Sequence, residues 1–246
     1  MAKEDNISLP VWLYWEGDLP DWIAECQKTV FSHASNVHLL SDADFDELRK
    51  DDRDIDINHL YVAHRADYIR AYLLARFGGL WIDSDCIVLK SLQPILDLLK
   101  THAFIGYRER SGEVTNNFMG AAKDSPIAAA YYNQVCSILR AGEKIEWLTL
   151  GSKALTATLQ NTSVPWYELQ VDEIQPICWS DPGAFFVKRE ELAHELQLNP
   201  RSICYMLSAN MIRGYVSEHE HTSLADADTF FSYLLNKSKE QEPCRI

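Results

Sequence analysis

The sequence predicts a single domain with an α/β sandwich fold. Apolar segments of strand length alternate with periodic segments of helix length along the 246 residues. Hydrophobic residues make up 47% of the chain, which is enough for a packed core. No internal repeat, low-complexity tract or linker rich in Pro, Gly or Ser interrupts the pattern. We therefore expect one domain over residues 1–246.

The amino-terminal half alternates most regularly between the two kinds of segment. Pro20 is typical of a helix start, and Gly78 with Gly79 is typical of a helix end that turns back into a strand. The helix before this turn repeats apolar residues at helical spacing, which predicts an amphipathic helix. Predicted strands cover residues 10–15, 36–40 and 80–82, and predicted helices cover residues 19–31, 42–50 and 64–77.

The carboxyl-terminal half carries weaker patterns. Pro126 lies in the first turn of a predicted helix that follows two short apolar strands. Predicted strands cover residues 103–107, 116–121 and 173–179, and predicted helices cover residues 125–140, 151–160 and 223–237.

Charge and cysteine content restrict the partners and the compartment. The chain has 23 Lys and Arg against 36 Asp and Glu, a net charge of −13, which argues against nucleic acid as a partner and against a broad basic membrane surface. The six cysteines are scattered without a CxxC pair, and the amino-terminal segment lacks the apolar core of a secretory signal. We expect a cytoplasmic protein without a transmembrane helix.

Two carboxylates follow the predicted strand at 80–82. Asp83 and Asp85 lie between two apolar segments, and no basic residue lies within four positions of Asp83. Side chains at i and i+2 of an extended chain project to the same side, so this pair can share one divalent cation. Carboxylate oxygens suit Mg²⁺ or Mn²⁺, which keep positions for water and phosphate. A pair bonded to loop amides or to a distant arginine is the alternative.

A second charged pair lies on the preceding helix. Asp67 and Arg70 are spaced i, i+3 and share a face. As a surface ion pair they would contribute little to stability. As ligand-binding groups they would present one acceptor and one forked donor to a polyhydroxylated or phosphorylated molecule. Spacing by itself leaves both interpretations open.

The run HRADYIR at 64–70, followed by GGLWIDSD at 78–85, resembles the signature of glycosyltransferase family 32, whose members carry a DXD motif. That family includes bacterial capsule and lipopolysaccharide transferases and the yeast initiating α-1,6-mannosyltransferase. The same spacing resembles the glucosylating domain of large clostridial toxins. The resemblance is dense over residues 60–92 and looser over 9–22, 115–127 and 151–156.

The carboxyl-terminal segment departs from the family pattern. Asn210 stands where the family often has a histidine, and Leu224 follows Ser223 where the family has a tryptophan. The family residues that close over the diphosphate are therefore poorly matched in this chain.

The resemblance implies a GT-A fold, a Rossmann-like mixed sheet flanked by helices. Its donor-binding half would cover about residues 8–122, and its acceptor-binding and closing half about residues 123–246. It implies a metal-dependent, retaining transfer of a hexose from a nucleotide-diphospho-sugar, with a UDP-sugar favoured. The acceptor would be a glycan or a lipid-linked oligosaccharide in surface polysaccharide synthesis. A lipid-linked acceptor would require weak peripheral association with the membrane.

The resemblance also assigns roles to the charged residues. Asp83 and Asp85 would hold Mn²⁺ or Mg²⁺ against the diphosphate, with Ser84 between them at the donor. Asp67 and Arg70 would bind donor-sugar hydroxyls and the diphosphate as part of the catalytic site.

Uncharged residues complete the predicted site. Trp15 is the first candidate to stack on the nucleobase, and Trp12 is the second. Asn116 and Asn117 would reach the reacting face of the sugar, or Asn117 would only hold a strand end. No carboxylate is identifiable as a covalent nucleophile, which fits a front-face substitution.

Other classes of protein share parts of this pattern. The segment IDSDCI resembles the Asp-x-Asp box of haloacid-dehalogenase-like phosphatases, but that box normally lies on the first strand and here more than eighty residues precede it. A non-catalytic protein that binds nucleotide sugars would keep the same motif. So would an effector-type glycosyltransferase that modifies a protein side chain.

Overall fold

The computed structural model describes residues 8–50, 55–142, 144–188, 198–218, 224 and 227–240. The strands are β1 (Val11–Tyr14), β2 (Val37–Leu40), β3 (Gly79–Ile82), β4 (Cys86–Val88), β5 (Phe104–Tyr107), β6 (Phe118–Ala121), β7 (Tyr167–Leu169) and β8 (Cys204–Met206). The helices are α1 (Asp21–His33), α2 (Asp42–Leu48), α3 (Val62–Phe77), α4 (Gln93–Leu98), α5 (Pro126–Ala141), α6 (Ala154–Gln160), α7 (Val171–Ile174), α8 (Ala209–Glu218) and α9 (Phe230–Glu240). A short 3₁₀ turn covers Pro182–Phe186.

The large sheet is mixed, as predicted. It has six strands in the order β2-β1-β3-β6-β5-β7, while β4 and β8 pair separately. In the large sheet β6 runs antiparallel to both neighbours, and the other pairs are parallel. The carboxyl ends of β1, β3, β5 and β7 therefore lie along one edge with the amino end of β6. Ligands of open α/β sheets bind outside the carboxyl ends of the strands, so this edge is where a site is expected.

Both faces of the sheet are covered. Trp81 of β3 packs into a cluster with side chains of α3, α5 and α6. Its neighbours Leu80 and Ile82 point to the opposite face and pack against β4, β8 and α4. Burial of one such apolar side chain contributes roughly 1.5–3 kcal/mol. The strand that leads to the candidate carboxylates is therefore fixed from both sides.

The Gly78-Gly79 turn ends α3 as predicted. Gly78 N donates to the Leu74 carbonyl at 3.1 Å, and the two glycines have φ of 67° and 98°. A Cβ on Gly79 would lie 2.2 Å from the Pro10 carbonyl oxygen. Glycine is required here because both the positive φ and the close approach to the backbone before β1 exclude a side chain.

The burial of α3 differs from the prediction. Every residue from Asp67 to Leu74 is buried, whereas Phe77, which belongs to the predicted apolar stripe, is 36% exposed. The prediction of a simple amphipathic helix was wrong, because α3 packs against both the sheet and α5. Asp67 and Arg70 are therefore enclosed rather than solvated.

The strands and helices of the carboxyl-terminal half differ most from the prediction. The predicted strand at 173–179 is wrong: α7 starts before it at Val171 and occupies its first two residues, because Gln170 N donates to Glu173 Oε2 at 2.9 Å in a capping box. The predicted helix at 151–160 starts later, after a wide turn over Thr149–Lys153.

The predicted helix at 223–237 is α9, which begins at Phe230. Residues 223, 225 and 226 of that prediction lie outside the described ranges. Within the described ranges, five strands and helices lie in segments without a prediction, namely β4, β7, β8, α4 and α8. Across the described ranges, every helix is too short or too polar to span a bilayer.

Candidate active site

The predicted carboxylates lie at the sheet edge, in the short loop between β3 and β4. Ser84, between them, is 5% exposed. Its hydroxyl donates to the Tyr14 carbonyl at 2.9 Å and accepts from Gln27 Nε2 at 3.2 Å. These bonds connect the loop to the end of β1 and to α1. The Ser84 side chain positions the loop, so its predicted contact with a donor would have to come from its backbone.

Asp83 lies against Arg70 and Trp81. Arg70 Nη1 is 3.4 Å from Asp83 Oδ1, and Trp81 Nε1 donates to the same oxygen at 2.6 Å. The Arg70 guanidinium lies over the Trp81 ring, 5.1 Å from the ring centroid. The Asp83 side chain remains 28% exposed. One carboxylate oxygen is thus held by the protein while the side chain keeps access to solvent.

Asp67 and Arg70 form a buried ion pair, which excludes the interpretation of these residues as a solvent-exposed ion pair. Both residues are 6% exposed. Arg70 Nη2 is 3.7 Å from Asp67 Oδ1, so the same guanidinium lies between Asp67 and Asp83. Removing one partner of a buried ion pair typically costs about 3–5 kcal/mol. The structure therefore brings Asp67, Arg70 and Asp83 into one cluster, as the sequence predicts.

Asparagines at the start of β6 complete this cluster. Asn116 Nδ2 donates to Asp67 Oδ1 at 2.7 Å, and the Asn116 carbonyl accepts from Arg70 Nη1 at 3.0 Å. The predicted residue Asn117 instead accepts from the Tyr107 hydroxyl at 2.8 Å. Its carbonyl accepts from Asp83 N at 2.9 Å, so it holds the strand end beside the site.

The pair of asparagines is visible in the sequence, but its local pattern does not decide which of the two side chains faces α3. Both asparagines were therefore candidates, and the structure shows that the Asn116 side chain contacts Asp67. A catalytic role for Asn117 stays a prediction.

Asp85 is bonded to the segment around Asn210, where the sequence departs from the family pattern. Asp85 is 9% exposed. Its Oδ2 accepts from Ala209 N at 2.5 Å, across 124 positions of the chain. Its carbonyl accepts from Leu207 N at 3.0 Å. Ser208, between these donors, has φ of 60°, which is uncommon for a residue with a Cβ. The start of α8 therefore holds one oxygen of Asp85.

Burial raises the pKa values of the site carboxylates. Burial first, and the charge of Asp83 second, raise the pKa of Asp85 to about 6. Burial also raises the pKa of Asp67 and of Asp83, although the Arg70 guanidinium acts in the opposite direction. Burial acts to lower the pKa of Arg70, but Asp83 and Asp67 raise it overall. With all groups ionised, three negative charges face one positive charge.

The donor set of the site suits a hard cation such as Mn²⁺ or Mg²⁺. Asp83 and Asp85 offer oxygen ligands, and burial raises the pKa of both carboxyls above the ordinary value. Within the described ranges, no three or more His, Cys, Asp or Glu side chains converge on one point. A cation held here would therefore be completed by oxygens of a ligand and of water.

Asp83, Ser84 and Asp85 form the DXD loop. Trp15 follows β1 and lies at the same edge of the sheet as this loop. It is partly buried, and its Nε1 donates to the Asp18 carbonyl at 3.1 Å. Trp12, the second candidate, is 5% exposed and donates to the Gly78 carbonyl at 2.8 Å. The structure excludes Trp12 as a stacking surface and leaves Trp15 as the candidate.

Solved glycosyltransferase structures share this architecture. The apo form of the glycosyltransferase GlyE of Streptococcus pneumoniae TIGR4 matches with a TM-score of 0.54 at 16% identity, over 94% of this chain and 62% of GlyE. A glycosyltransferase involved in glycosylation of the major capsid of PBCV-1 has a TM-score of 0.48 at 12% identity, over 87% of this chain and 100% of that protein. The likeness to GlyE confirms the predicted fold, which is the GT-A fold.

The chain belongs to the family described as capsular polysaccharide synthesis protein, which matches residues 2–142. A mannosyl phosphorylinositol ceramide synthase of Saccharomyces cerevisiae, CSH1, is 31% identical over 119 residues, which are 46% of this chain and 31% of the yeast protein. The chain thus spans about a third of this relative. Family and fold together confirm the predicted class of enzyme, a glycosyltransferase.

Proposed function

We propose that this glycosyltransferase moves a hexose from a nucleotide-diphospho-sugar to a glycan acceptor, with Mn²⁺ or Mg²⁺ at Asp83 and Asp85. The observation that carries the proposal is the surplus of negative charge at the sheet edge, where Asp67 and Asp83 contact the guanidinium of Arg70 and the charge of Asp83 acts on the nearby Asp85. A diphosphate would add to this surplus unless a cation accompanied it. The proposal explains why carboxylates are retained in an enclosed position.

Asp83 and Asp85 would hold the cation. Trp81 Nε1 and Ala209 N each bond one carboxylate oxygen of the pair, which fixes the two side chains before a ligand arrives. When bound, the cation neutralises charge that develops on the leaving diphosphate as the anomeric C–O bond breaks. Two protein ligands leave room for diphosphate oxygens in the coordination shell.

Asp67 and Arg70 would bind the donor sugar and position its diphosphate. Asn116 and Arg70 engage Asp67 Oδ1, and within the described residues no hydrogen bond or ion pair engages Oδ2. That oxygen can accept a sugar hydroxyl. Arg70 is fixed by its Nε bond to the Ala66 carbonyl at 3.1 Å and by Asn116. A fixed guanidinium stabilises developing negative charge without reorganising during the reaction.

The family description supports a role in surface polysaccharide synthesis, in which the acceptor is a growing glycan or a lipid-linked oligosaccharide. We propose that the anomeric configuration is retained, as the DXD resemblance implies. A UDP-sugar is the favoured donor. The name of the yeast relative makes a mannosyl donor the second candidate. We place the reaction in the cytoplasm, with weak peripheral membrane contact where the acceptor is lipid-linked.

A thermal-shift panel tests the donor and the metal together. The panel contains UDP-glucose, UDP-galactose, UDP-GlcNAc, UDP-GalNAc and GDP-mannose, each with Mn²⁺ or with EDTA. A donor at about 100 times its Kd should stabilise the folded protein by about 2.7 kcal/mol. The variant Asp85→Asn should lose the metal-dependent shift. The control Asp56→Asn should keep it, because the Asp56 side chain is 71% exposed.

Each outcome decides between the proposal and its alternatives. Metal-dependent stabilisation by one donor, followed by release of free sugar or transfer to a glycan, supports the proposal. Donor binding without any turnover indicates a non-catalytic nucleotide-sugar-binding protein. Transfer to a protein side chain instead of a glycan indicates an effector-type enzyme. If none of the donors shifts the melting temperature in Mn²⁺, the proposed donor site is contradicted.

A further inference from the structure

A row of polar groups continues along the sheet edge, away from Asp83 and toward β5 and β7. The Asn117 carbonyl accepts from Asp83 N at 2.9 Å. Tyr107, at the end of β5, donates its hydroxyl to Asn117 Oδ1 at 2.8 Å, and Gln175 Oε1 lies 3.3 Å from the same hydroxyl. Beyond Gln175 is a shallow pocket lined by Glu109, Arg110, Ser111, Val171, Gln175, Cys178 and Trp179.

The Gln175 amide has an unsatisfied end at this pocket. The residue is 3% exposed, and within the described part of the chain its buried Nε2 has no hydrogen-bond partner. Its Oε1, in contrast, is near the Tyr107 hydroxyl at 3.3 Å. Buried amide groups are nearly always hydrogen-bonded in folded proteins. Because the single Tyr107 hydroxyl proton is donated to Asn117, either end of the Gln175 amide can face that hydroxyl, and the other end is left without a partner. A hydroxyl-bearing ligand, which both donates and accepts, would satisfy that end.

The chemistry of the other lining residues indicates an uncharged, hydroxyl-bearing ligand. Trp179 is 45% exposed and can offer its indole face to the C–H surface of a sugar ring. The Glu109 carboxylate, within hydrogen-bonding reach of Trp179, can accept from hydroxyls. Arg110 pairs with Asp172, with Nη2 3.1 Å from Oδ1, so its charge is already compensated. The pocket therefore does not favour a phosphate.

We propose that this pocket, with Gln175, Glu109 and Trp179 as its binding groups, holds the terminal sugar of the acceptor glycan. The inference rests on the proposed function and adds the position of the acceptor to it. Tyr107 and Asn117 connect Gln175 of the pocket to the Asp83 amide of the DXD site. An acceptor bound there would lie along the same sheet edge as the carboxylates that position the donor, and direct transfer requires such proximity.

Two variants and a control test this assignment. Trp179→Ala removes the exposed ring, and Gln175→Met removes the buried amide in a side chain of similar length. Tyr167→Ala is the matched control, because Tyr167 is also a partly exposed aromatic residue, at 38%, but its ring packs on His102. Saturation-transfer NMR would use the methyl α- and β-pyranosides of glucose, galactose, mannose and N-acetylglucosamine as probes. Each glycoside would be present at about 10 mM, which is suited to a Kd near about 1 mM.

The donor reaction provides an independent readout. Hydrolysis of the donor in the absence of glycoside depends on the DXD site and should stay within about twofold of wild type in all three variants. Transfer to the glycoside should show an acceptor KM raised about tenfold or more in Trp179→Ala and Gln175→Met, and unchanged in Tyr167→Ala.

The outcomes separate failure of the pocket from failure of the proposed function. Loss of glycoside binding in the two pocket variants, with hydrolysis intact, supports the inference. Equal glycoside binding in wild type and both variants overturns it, and so does a wild type that hydrolyses donor but binds none of the glycosides. A wild type that neither binds nor hydrolyses any donor overturns the proposed function instead.

Discussion

Replacing Asp85 by Asn tests the charge surplus directly, because the two side chains have nearly the same shape and only the charge is removed. Burial and Asp83 raise the pKa of Asp85 from 3.8 to about 6. That rise corresponds to about 3 kcal/mol of lost stability while Asp85 is ionised. The side-chain carbonyl oxygen of asparagine can still accept the hydrogen bond that Ala209 N donates. We therefore expect Asp85→Asn to raise the free energy of unfolding by about 2–3 kcal/mol at pH 7.5 in EDTA.

The pH dependence follows from the direction of the pKa shift. A raised carboxyl pKa means that the folded protein binds this proton more tightly than the unfolded chain does. The destabilisation from Asp85 is then fully present above about pH 6 and disappears as the pH falls toward about 4. The advantage of Asp85→Asn should shrink over the same interval. Urea unfolding at pH 7.5 and pH 4.5, followed by circular dichroism, measures it, with Asp56→Asn as the control.

Mn²⁺ should make wild type more stable than Asp85→Asn, which is the reverse of the order expected in EDTA. Binding of Mn²⁺ to the folded state stabilises wild type by mass action, whereas Asp85→Asn has lost one of the two carboxylates. The charge argument is refuted if Asp85→Asn is less stable than wild type at pH 7.5 in EDTA. It is also refuted if the advantage of the variant is the same at both pH values.

Three other substitutions test separate parts of the structure. Arg70→Met should lower the free energy of unfolding by about 3–5 kcal/mol, because Asp67 and Asp83 lose their buried cation; a loss below about 1 kcal/mol in urea unfolding would contradict the clustering of these charges. Gly79→Ala should prevent soluble expression, because the new Cβ would lie 2.2 Å from the Pro10 carbonyl oxygen, whereas Gly17→Ala, at φ of 80° with no atom within 4 Å, should cost about 1 kcal/mol. Equal melting temperatures for these two variants would show that the close approach at Gly79 is tolerated. Trp15→Ala should weaken donor binding about tenfold in titration calorimetry while Trp15→Phe retains most of it, and an unchanged Kd for Trp15→Ala would remove Trp15 from the site.

Sequence patterns were most informative where a structural element depends on its own residues. The Gly78-Gly79 turn was predictable because a positive φ and a close backbone approach both require glycine. The strand at 80–82 was predictable because a buried strand is a short apolar run that ends in polar residues. β7 and β8 were missed because each is three residues long. Such a segment is too short to show a period.

At the candidate site, the sequence predicted which residues take part but did not predict their burial. Asp67, Arg70, Asp83 and Asp85 were identified from residue type and spacing, and the structure brings them to one edge of the sheet. Their burial was not predictable, because the i, i+3 spacing of Asp67 and Arg70 is the same in a surface pair and in an enclosed one. The packing of α3 between the sheet and α5 decided it.

The sequence by itself determined the class of fold, the turn that returns the chain from α3 to β3, and the identity of the charged residues at the DXD site. Only the tertiary structure decided that Asn116 contacts Asp67, that Ala209 holds Asp85, and that Gln175 lines a pocket next to Tyr107. The physical reason is that backbone propensity and hydrophobic period are properties of neighbouring residues. Burial and hydrogen bonding between distant segments exist only after the chain has packed.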